Sequence, residues 1–489
     1  MERRVVFEAA RRSALAASAA FGTVALVQGA AFAQSPAPRA GAGQPTVDTT
    51  PVTPATPATQ ASGPMPDKTT PSGRVLSLAA AEKAALEAQP LLRAARAQTA
   101  SAEAAADAAR SPLLPQVVGS ATYSHDWGAF RTSTSIGGTP TTTGSTGSSP
   151  LSNQFNIWSF GLTATQLIYD FGQTTERYGA AKDTAEAQLF EERVTRLQIL
   201  ANVRQAYFNA RANKDLVDVA QEMLDDQQKH LKQVEAFVQV GTQPEIALAQ
   251  QKAAVATARV QLISAQNSYD TSKAQLNQAA GLVGGTEYDV VDEEEAHIDD
   301  EDEPLETLVQ KALAARPELA NLFKQQDAQQ AAIRSAKGAY GPTLAASGGA
   351  SEAGLTLDTL TPNINVGVSL TWPLFQGGLT KATVRQAEAN LSNIDAQRDL
   401  VALQIQLGVN TAQLAVRAAK ATIGASNDAL VSAAEQLRLA EQRYATNVGS
   451  IIELDDAQVA YTSAAAQVVI ARYSLATARA LLLAALGRT

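Results

Sequence analysis

Residues 156–169 read NIWSFGLTATQLIY, and residues 363–372 read NINVGVSLTW. In both stretches apolar side chains alternate with small or polar ones, which is the period of a β-strand whose two faces differ. The apolar faces carry Trp158, Phe160, Leu162 and Ala164 in the first stretch and Ile364, Val366, Val368, Leu370 and Trp372 in the second. The opposite faces carry Ser159, Gly161, Thr163 and Thr165, and Asn365, Gly367, Ser369 and Thr371. Each stretch predicts a strand between an apolar and a polar environment.

The segments before these strands are duplicated as well. A shorter strand pattern precedes each one, at 116–124 and 344–351, and a helical pattern precedes that, at 76–110 and 305–337. A Thr/Ser/Gly-rich loop from about 128 to 153 enlarges the first strand pair. We predict a duplicated helix–strand–strand–helix repeat. The two copies lie at 75–291 and 305–487.

A long helical pattern follows each strand, and the two patterns end at Gly241 and Gly449. Each run would span roughly 100 Å at ~1.5 Å per residue, so it needs partners along its length. Leu430, Ala433, Leu437, Ala440 and Tyr444 form a heptad seam before the second glycine. When the two copies are aligned on these glycines, at an offset of 208, two further heptad seams fall opposite each other. The seam in the first copy consists of Ile246, Ala249, Ala253, Ala256, Val260 and Ile263. The seam in the second copy consists of Leu454, Ala457, Tyr461, Ala464, Val468 and Ala471. The chain therefore predicts two antiparallel helical hairpins.

Three segments lie outside the repeats. Residues 1–33 combine a basic start, an apolar stretch and an A-x-A site, which is typical of a secretory signal peptide. Residues 34–74 contain nine prolines and few large apolar side chains, so we predict disorder. Residues 292–304 form an acidic linker, which is usually solvated. No later stretch is expected to cross a membrane as a helix.

Composition excludes several classes of protein. The net charge is −9, or −11 once a signal peptide with four basic and two acidic residues is removed, which argues against a nucleic-acid partner. The chain has no cysteine, so disulfides, thiolate metal sites and a lipidated N-terminal cysteine are excluded. The three histidines are far apart in sequence. We expect no metal, no cofactor and no enzymatic activity.

The strand faces suit a membrane β-barrel better than a sandwich core, because one face is too polar to be buried. Four strands cannot close a barrel, and an open sheet edge cannot lie in lipid. Three copies supply twelve strands and space for a lumen. We therefore predict a homotrimer, mainly α-helical, whose twelve strands close a membrane β-barrel. A soluble helical rod with two incidental hairpins is the alternative.

Several of these residues resemble the TolC-like outer membrane efflux protein family. The strand exits Leu167–Gly172 and Trp372–Gly378 look like that family's motif, and the turns at Gly241 and Gly449 look like its hairpin tips. The resemblance covers about 76–487. It implies a passive exit duct, with the twelve-stranded barrel in outer membrane lipid and a long α-helical barrel that reaches across the periplasm. The duct would receive substrates from a periplasmic adaptor and an inner-membrane transporter, for drug efflux or for type I secretion. A periplasmic adaptor or structural coiled-coil protein is the alternative, although the chain lacks a compact β-rich module.

The resemblance also implies two groups of site residues. The expected adaptor contacts at the tips are Val240, Gly241, Thr242, Val448, Gly449 and Ser450. Glycine in both turns is equally explained by a positive φ. The expected periplasmic gate consists of Tyr444, Glu453, Asp455 and Asp456. Tyr444 also continues a heptad seam, and the carboxylates also fit a solvated helix face, so both interpretations stay open.

Overall fold

The computed structural model describes residues 75–127, 154–292, 300–446 and 448–488. The first half contains β1 (Val75–Leu76), α1 (Leu78–Ala88), α2 (Pro90–Arg110), a 3-10 turn (Ser111–Leu113), β2 (Gln116–Trp127), β3 (Gln154–Tyr169), α3 (Gln173–Gln239) and α4 (Glu245–Ala280). The second contains β4 (Asp289–Val290), α5 (Leu305–Ala315), α6 (Pro317–Gly338), β5 (Thr343–Gly354), β6 (Thr361–Thr371), α7 (Leu379–Ala445) and α8 (Ile451–Ala485). This order confirms the duplication. The predicted signal peptide, the Pro-rich segment and the loop at 128–153 lie outside the described residues.

Four of the strands form one antiparallel sheet in the order β2-β3-β5-β6. The central pair joins the two copies, with Leu162 of β3 opposite Ala350 of β5. A bulge between Leu167 and Tyr169 shifts the register near the helical end of the sheet. Among the described residues, β2 pairs only with β3 and β6 only with β5. The sheet therefore has two open edges.

Two helices of equal length follow the sheet. Both α3 and α7 contain 67 residues, and each begins directly after a glycine with positive φ, Gly172 or Gly378. Leu379 follows Gln173 by 206 residues, and Ala445 follows Gln239 by the same 206. The structural offset between the copies is therefore 206, not the 208 given by aligning Gly241 with Gly449.

The long helices pack side by side. Near the turns, α4 lies on α3, α3 on α8 and α8 on α7, while near the sheet α2 lies on α3, α3 on α6 and α6 on α7. The outermost helices, which pack mainly on one neighbour each, are therefore α4 and α7 near the turns and α2 and α7 near the sheet. The shorter helices differ from expectation, because 76–110 and 305–337 are each broken in two. The breaks fall at Gln89 and Arg316, whose extended backbone suits a residue before proline.

The seam predicted on α4 is wrong. Ile246, Ala249, Ala253, Ala256, Val260 and Ile263 are all exposed, and the side chains that α4 buries against α3 include Ala247, Gln251, Ala258 and Leu262. The glycine alignment misplaces the register by two residues, 208 instead of 206, and a shift of two residues turns a helix by about 200°. The seam at Ala433, Leu437, Ala440 and Tyr444 is confirmed, since all four side chains are buried.

The acidic linker is more than a solvated tether. The carboxylate of Asp292 pairs with Arg472 at 3.3 Å and accepts a hydrogen bond from Tyr473. Beyond the undescribed residues 293–299, the Glu301 side chain is fully buried between Arg479 at 2.9 Å and Lys420 at 2.7 Å. Burial alone would raise the Glu301 pKa, but these two cations outweigh burial and lower it to about 2. Residues at both ends of the linker thus form ion pairs with α8.

Within the described residues, α8 is long and apolar enough to cross a membrane by length and composition. The expectation that no such segment follows the signal peptide is therefore wrong on those criteria. In the structure α8 packs along α7 and α3, with Leu454, Ala471 and Leu482 buried. That packing accounts for part of its apolar character, since 28% of its most apolar window is buried.

Candidate functional site

The register of the sheet separates its two faces. Across all four strands, one face carries the row of Ala121, Phe160, Glu352 and Pro362 and the rows on either side of it, which are mostly apolar. The adjacent row of Ser120, Gly161, Ser351 and Asn363 belongs to the other face, where Ser, Thr, Asn and Gly predominate. The apolar face has no covering layer, and Val366 is 86% exposed. The faces predicted from the sequence for β3 and β6 are confirmed.

Aromatic side chains mark both ends of the apolar face. Tyr123 and Trp158 lie at one end, with ring centroids 4.6 Å apart, and Tyr169 and Phe171 lie at the other, 5.0 Å apart. Eleven residues separate Trp158 from Tyr169. At ~3.4 Å per residue and a tilt of ~40°, this separation is about 28 Å across the membrane, close to the ~25 Å band of outer membrane barrels.

The first hairpin turns at Val240, Gly241 and Thr242. Gly241 has φ +77, which a side chain would strain, and nothing lies within 4 Å of a Cβ added there. The backbone amide and the hydroxyl of Thr242 both donate to the carbonyl of Phe237 at 2.9 Å. Val240 is 74% exposed. This turn presents an apolar side chain on a rigid loop.

The second hairpin turns differently. Gly449 does not have a positive φ, so the conformational reason expected for its glycine is wrong. A Cβ there would lie 3.0 Å from the Cβ of Arg443, so close backbone approach requires the glycine. Ser450 caps α8 by accepting a hydrogen bond from the Glu453 amide. Val448 is 71% exposed, like Val240 at the other tip.

A buried apolar cluster joins the two hairpins just above the turns. It contains Val234, Ala247, Leu437, Ala440, Tyr444, Leu454 and Ala457, with Phe237 packed against it. The rings of Tyr444 and Phe237 lie 6.1 Å apart. Tyr444 is 2% exposed, and its hydroxyl has no hydrogen-bond partner. Burial, with a smaller effect from Asp455, raises its pKa. Tyr444 is therefore a core residue that locks one hairpin to the other.

The three carboxylates after the second turn lie in different environments. Glu453 is exposed and pairs with Arg443 at 3.1 Å. Asp455 is half-buried, and burial raises its pKa, although His230 on α3 acts in the opposite direction. Asp456 is exposed. Sequence reasoning did not identify Phe237, Arg443 or His230, because their roles depend on contacts between segments far apart in the chain.

The long helices have a covered face and an open face. On α3, Val203 and Tyr207 pack against α1 and β4, and on α7, Val409 packs against α5. Asn209 and Ala418 lie about half a turn away from these contacts, on the opposite face. We call this opposite face the inner face. On α8 it includes Gln467, Ile470, Ser474, Thr477 and Leu481.

Continued toward the turn at steps of three and four, this stripe reaches Ser463, Ala460, Asp456 and Glu453. Asp455 lies off the stripe and points toward the seam with α3. The described residues contain no group of three or more His, Asp or Glu side chains placed to hold a metal ion.

Comparison with known proteins agrees with this arrangement. The model of the family described as "Outer membrane efflux protein" matches residues 82–282 and 308–488. The chain is 25% identical over 384 residues to outer membrane protein TolC of Escherichia coli (strain K12), covering 75% of this chain and 73% of TolC. It is also 25% identical over 352 residues to the outer membrane efflux protein BepC of Brucella suis biovar 1 (strain 1330), covering 68% and 74%.

A solved structure shares the fold. The Campylobacter jejuni CmeC outer membrane channel superposes with a TM-score of 0.71 at 21% sequence identity. The superposition covers 84% of this chain and 85% of that channel.

Proposed function

This chain belongs to the outer membrane efflux protein family, and from that membership we propose that three copies form an exit duct that receives substrates at its periplasmic tips. The protein is an outer membrane efflux channel. The family consists of channel proteins rather than enzymes. The alternative interpretation of the sequence, as a periplasmic adaptor or structural coiled-coil protein, finds no support in these matches.

The observation that carries the trimer is the four-stranded sheet with two open edges and an uncovered apolar face. Open edges in lipid would leave backbone N–H and C=O groups without partners, at a cost of several kcal/mol each. Pairing β2 of one copy with β6 of the next removes both edges. Three copies give twelve strands, enough for a water-filled lumen lined by the Ser, Thr and Asn face.

The helices support the same association. The residues from Ile246 to Ile263 that the sequence wrongly predicts to pack inside the hairpin form an exposed stripe on α4. This stripe and a second one on α7, Leu400, Leu403, Leu407 and Leu414, both have heptad spacing. Near the turns, α4 and α7 are the outermost helices of the layer, whereas the α7 stripe lies midway along its helix, at the level of α5. The two stripes therefore lie at the sides of the layer, at different heights. Neighbouring copies of the chain would bury them, and the inner face would then line the duct.

We assign the tips to a periplasmic adaptor, which couples the duct to an inner-membrane transporter. The exposed Val240 and Val448, held on rigid turns, suit an apolar contact. The gate carboxylates are Asp456 and Glu453, because both continue the inner-face stripe of α8. Tyr444 instead packs in the cluster that joins the hairpins, and Asp455 lies half-buried beside it.

Mass measurement of the detergent-solubilised protein tests this proposal. It predicts three copies per particle. A monomer or a dimer would overturn it.

A further inference from the structure

A groove of about 1000 Å³ lies on the inner face of the helical layer, where α3, α7 and α8 meet. Its floor contains the buried Phe208 and Tyr473. The volume is at the upper end of the range for sites that take drug-sized molecules. The groove lies level with the linker contacts at Asp292, far from the tips.

None of the 21 residues that line the groove is Asp, Glu, Lys or Arg. Tyr473 is neutral, because burial raises its pKa and its hydroxyl donates to Asp215. Ionic ligands would lose hydration here without gaining a counter-charge. The lining therefore favours uncharged molecules.

The groove also presents amides at helical spacing. Asn202, Gln205 and Asn209 follow one another on α3 at steps of three and four, and Gln467 lies on α8. All four side chains are exposed. Amide groups both donate and accept hydrogen bonds, and they stand beside alanine and aromatic surface. The combination matches a ligand with an apolar body and neutral polar groups.

We propose that this groove is a transit site for uncharged amphiphilic molecules of drug size that carry amide or hydroxyl groups. The inference rests on the proposed duct, since only a closed ring of copies makes the inner face a lumen. Three grooves would then surround the middle of the duct. Cargo would pause there between the tip and the barrel.

Single-channel recording of the trimer in a planar bilayer tests the site. Two probes share one scaffold: chloramphenicol is neutral and bears an amide and hydroxyls, and its succinate ester is anionic. Chloramphenicol added from the extracellular side should produce blocking events, and the ester should give markedly shorter ones. In Asn209→Ala/Gln467→Ala, the chloramphenicol dwell time should fall at least about five-fold, the factor for one lost hydrogen bond.

Gln261→Ala is the matched control, because it removes an exposed amide on α4 outside the groove. Its dwell times should equal those of the unsubstituted protein. Three results would overturn the inference: no chloramphenicol events, equal dwell times in the double variant, or equal dwell times for the two probes. Each of these results can occur in a trimer that conducts normally. The transit-site proposal can therefore be disproved without disproving the proposed duct.

Discussion

Leu162 in the first copy of the repeat lies directly opposite Ala350 in the second. This pairing fuses two hairpins into one four-stranded sheet, whose remaining edges are β2 and β6. One chain therefore carries a third of the twelve-stranded barrel that we propose.

The strand faces can be tested with neighbouring residues of β6. Val366 belongs to the apolar face with Leu370, Trp158 and Phe160, and Asn365 to the polar face with Ser369, Ser159 and Thr163. We expect Val366→Arg to destabilise the barrel by about 2–4 kcal/mol, because its charge would lie in lipid. Asn365→Arg, facing water, should be tolerated. Equilibrium unfolding in lipid vesicles measures both, and equal losses would contradict the assignment.

Cation preference should depend on Asp456 and not on Asp455. A ring of three Asp456 carboxylates in a narrow entrance attracts cations, whereas Asp455 faces the seam between hairpins. Asp456→Asn should reduce cation selectivity and weaken block by divalent cations in single-channel recordings. Asp455→Asn is the matched control. A larger effect of Asp455→Asn than of Asp456→Asn would contradict the assignment of Asp456 to the lumen.

The tip cluster should hold the hairpins together. Phe237→Ala removes a partly buried ring that packs on Tyr444, so we expect a loss below the ~3–5 kcal/mol of a fully buried Phe. We expect higher open probability in bilayer recordings, because the packing between the two hairpins is weakened. Tyr444→Phe should leave the channel closed or more firmly closed, since the lost hydroxyl had no partner. An open Tyr444→Phe channel would show that the hydroxyl has a role that the structure does not explain.

Glu301 should stabilise the protein in a pH-dependent way. Its folded pKa, about 2, lies below its ordinary value of 4.5. Its contribution is therefore fully present above about pH 4.5 and is lost as the pH falls through about 2. Glu301→Gln should destabilise the folded chain by about 3 kcal/mol at neutral pH. It should also reduce the loss of stability that the unsubstituted protein shows as the pH falls toward about 2. Thermal unfolding across pH 2–7 measures this, with Glu103→Gln, an exposed position on α2, as control.

The local patterns of the sequence predict much of this structure. Alternation at Trp158 and Phe160 defines the strand faces, because one side of a strand must match lipid whatever the rest of the chain does. The seam at Leu437 and Tyr444 is correct because the side of a helix that packs on its neighbours is also defined by local spacing. The proline after Gln89 could have predicted the helix break there.

Relations between distant segments could not be predicted in this way. The α4 seam failed because Gly241 and Gly449 look equivalent in sequence but serve different backbone needs. The burial of Glu301 depends on Arg479 and Lys420, more than a hundred residues away. Choosing between Asp455 and Asp456 required the direction of α8 relative to α3, which an isolated helix pattern does not contain.

The central claim is that copies of the chain close the sheet on one another, and the oligomeric mass tests it most directly. Light scattering of the mature protein in detergent, corrected for bound detergent, should give three chains per particle. Stepwise chemical cross-linking should produce a ladder that stops at three. A stable, folded monomer or dimer by both methods would contradict the account, because one or two sheets cannot enclose the proposed lumen.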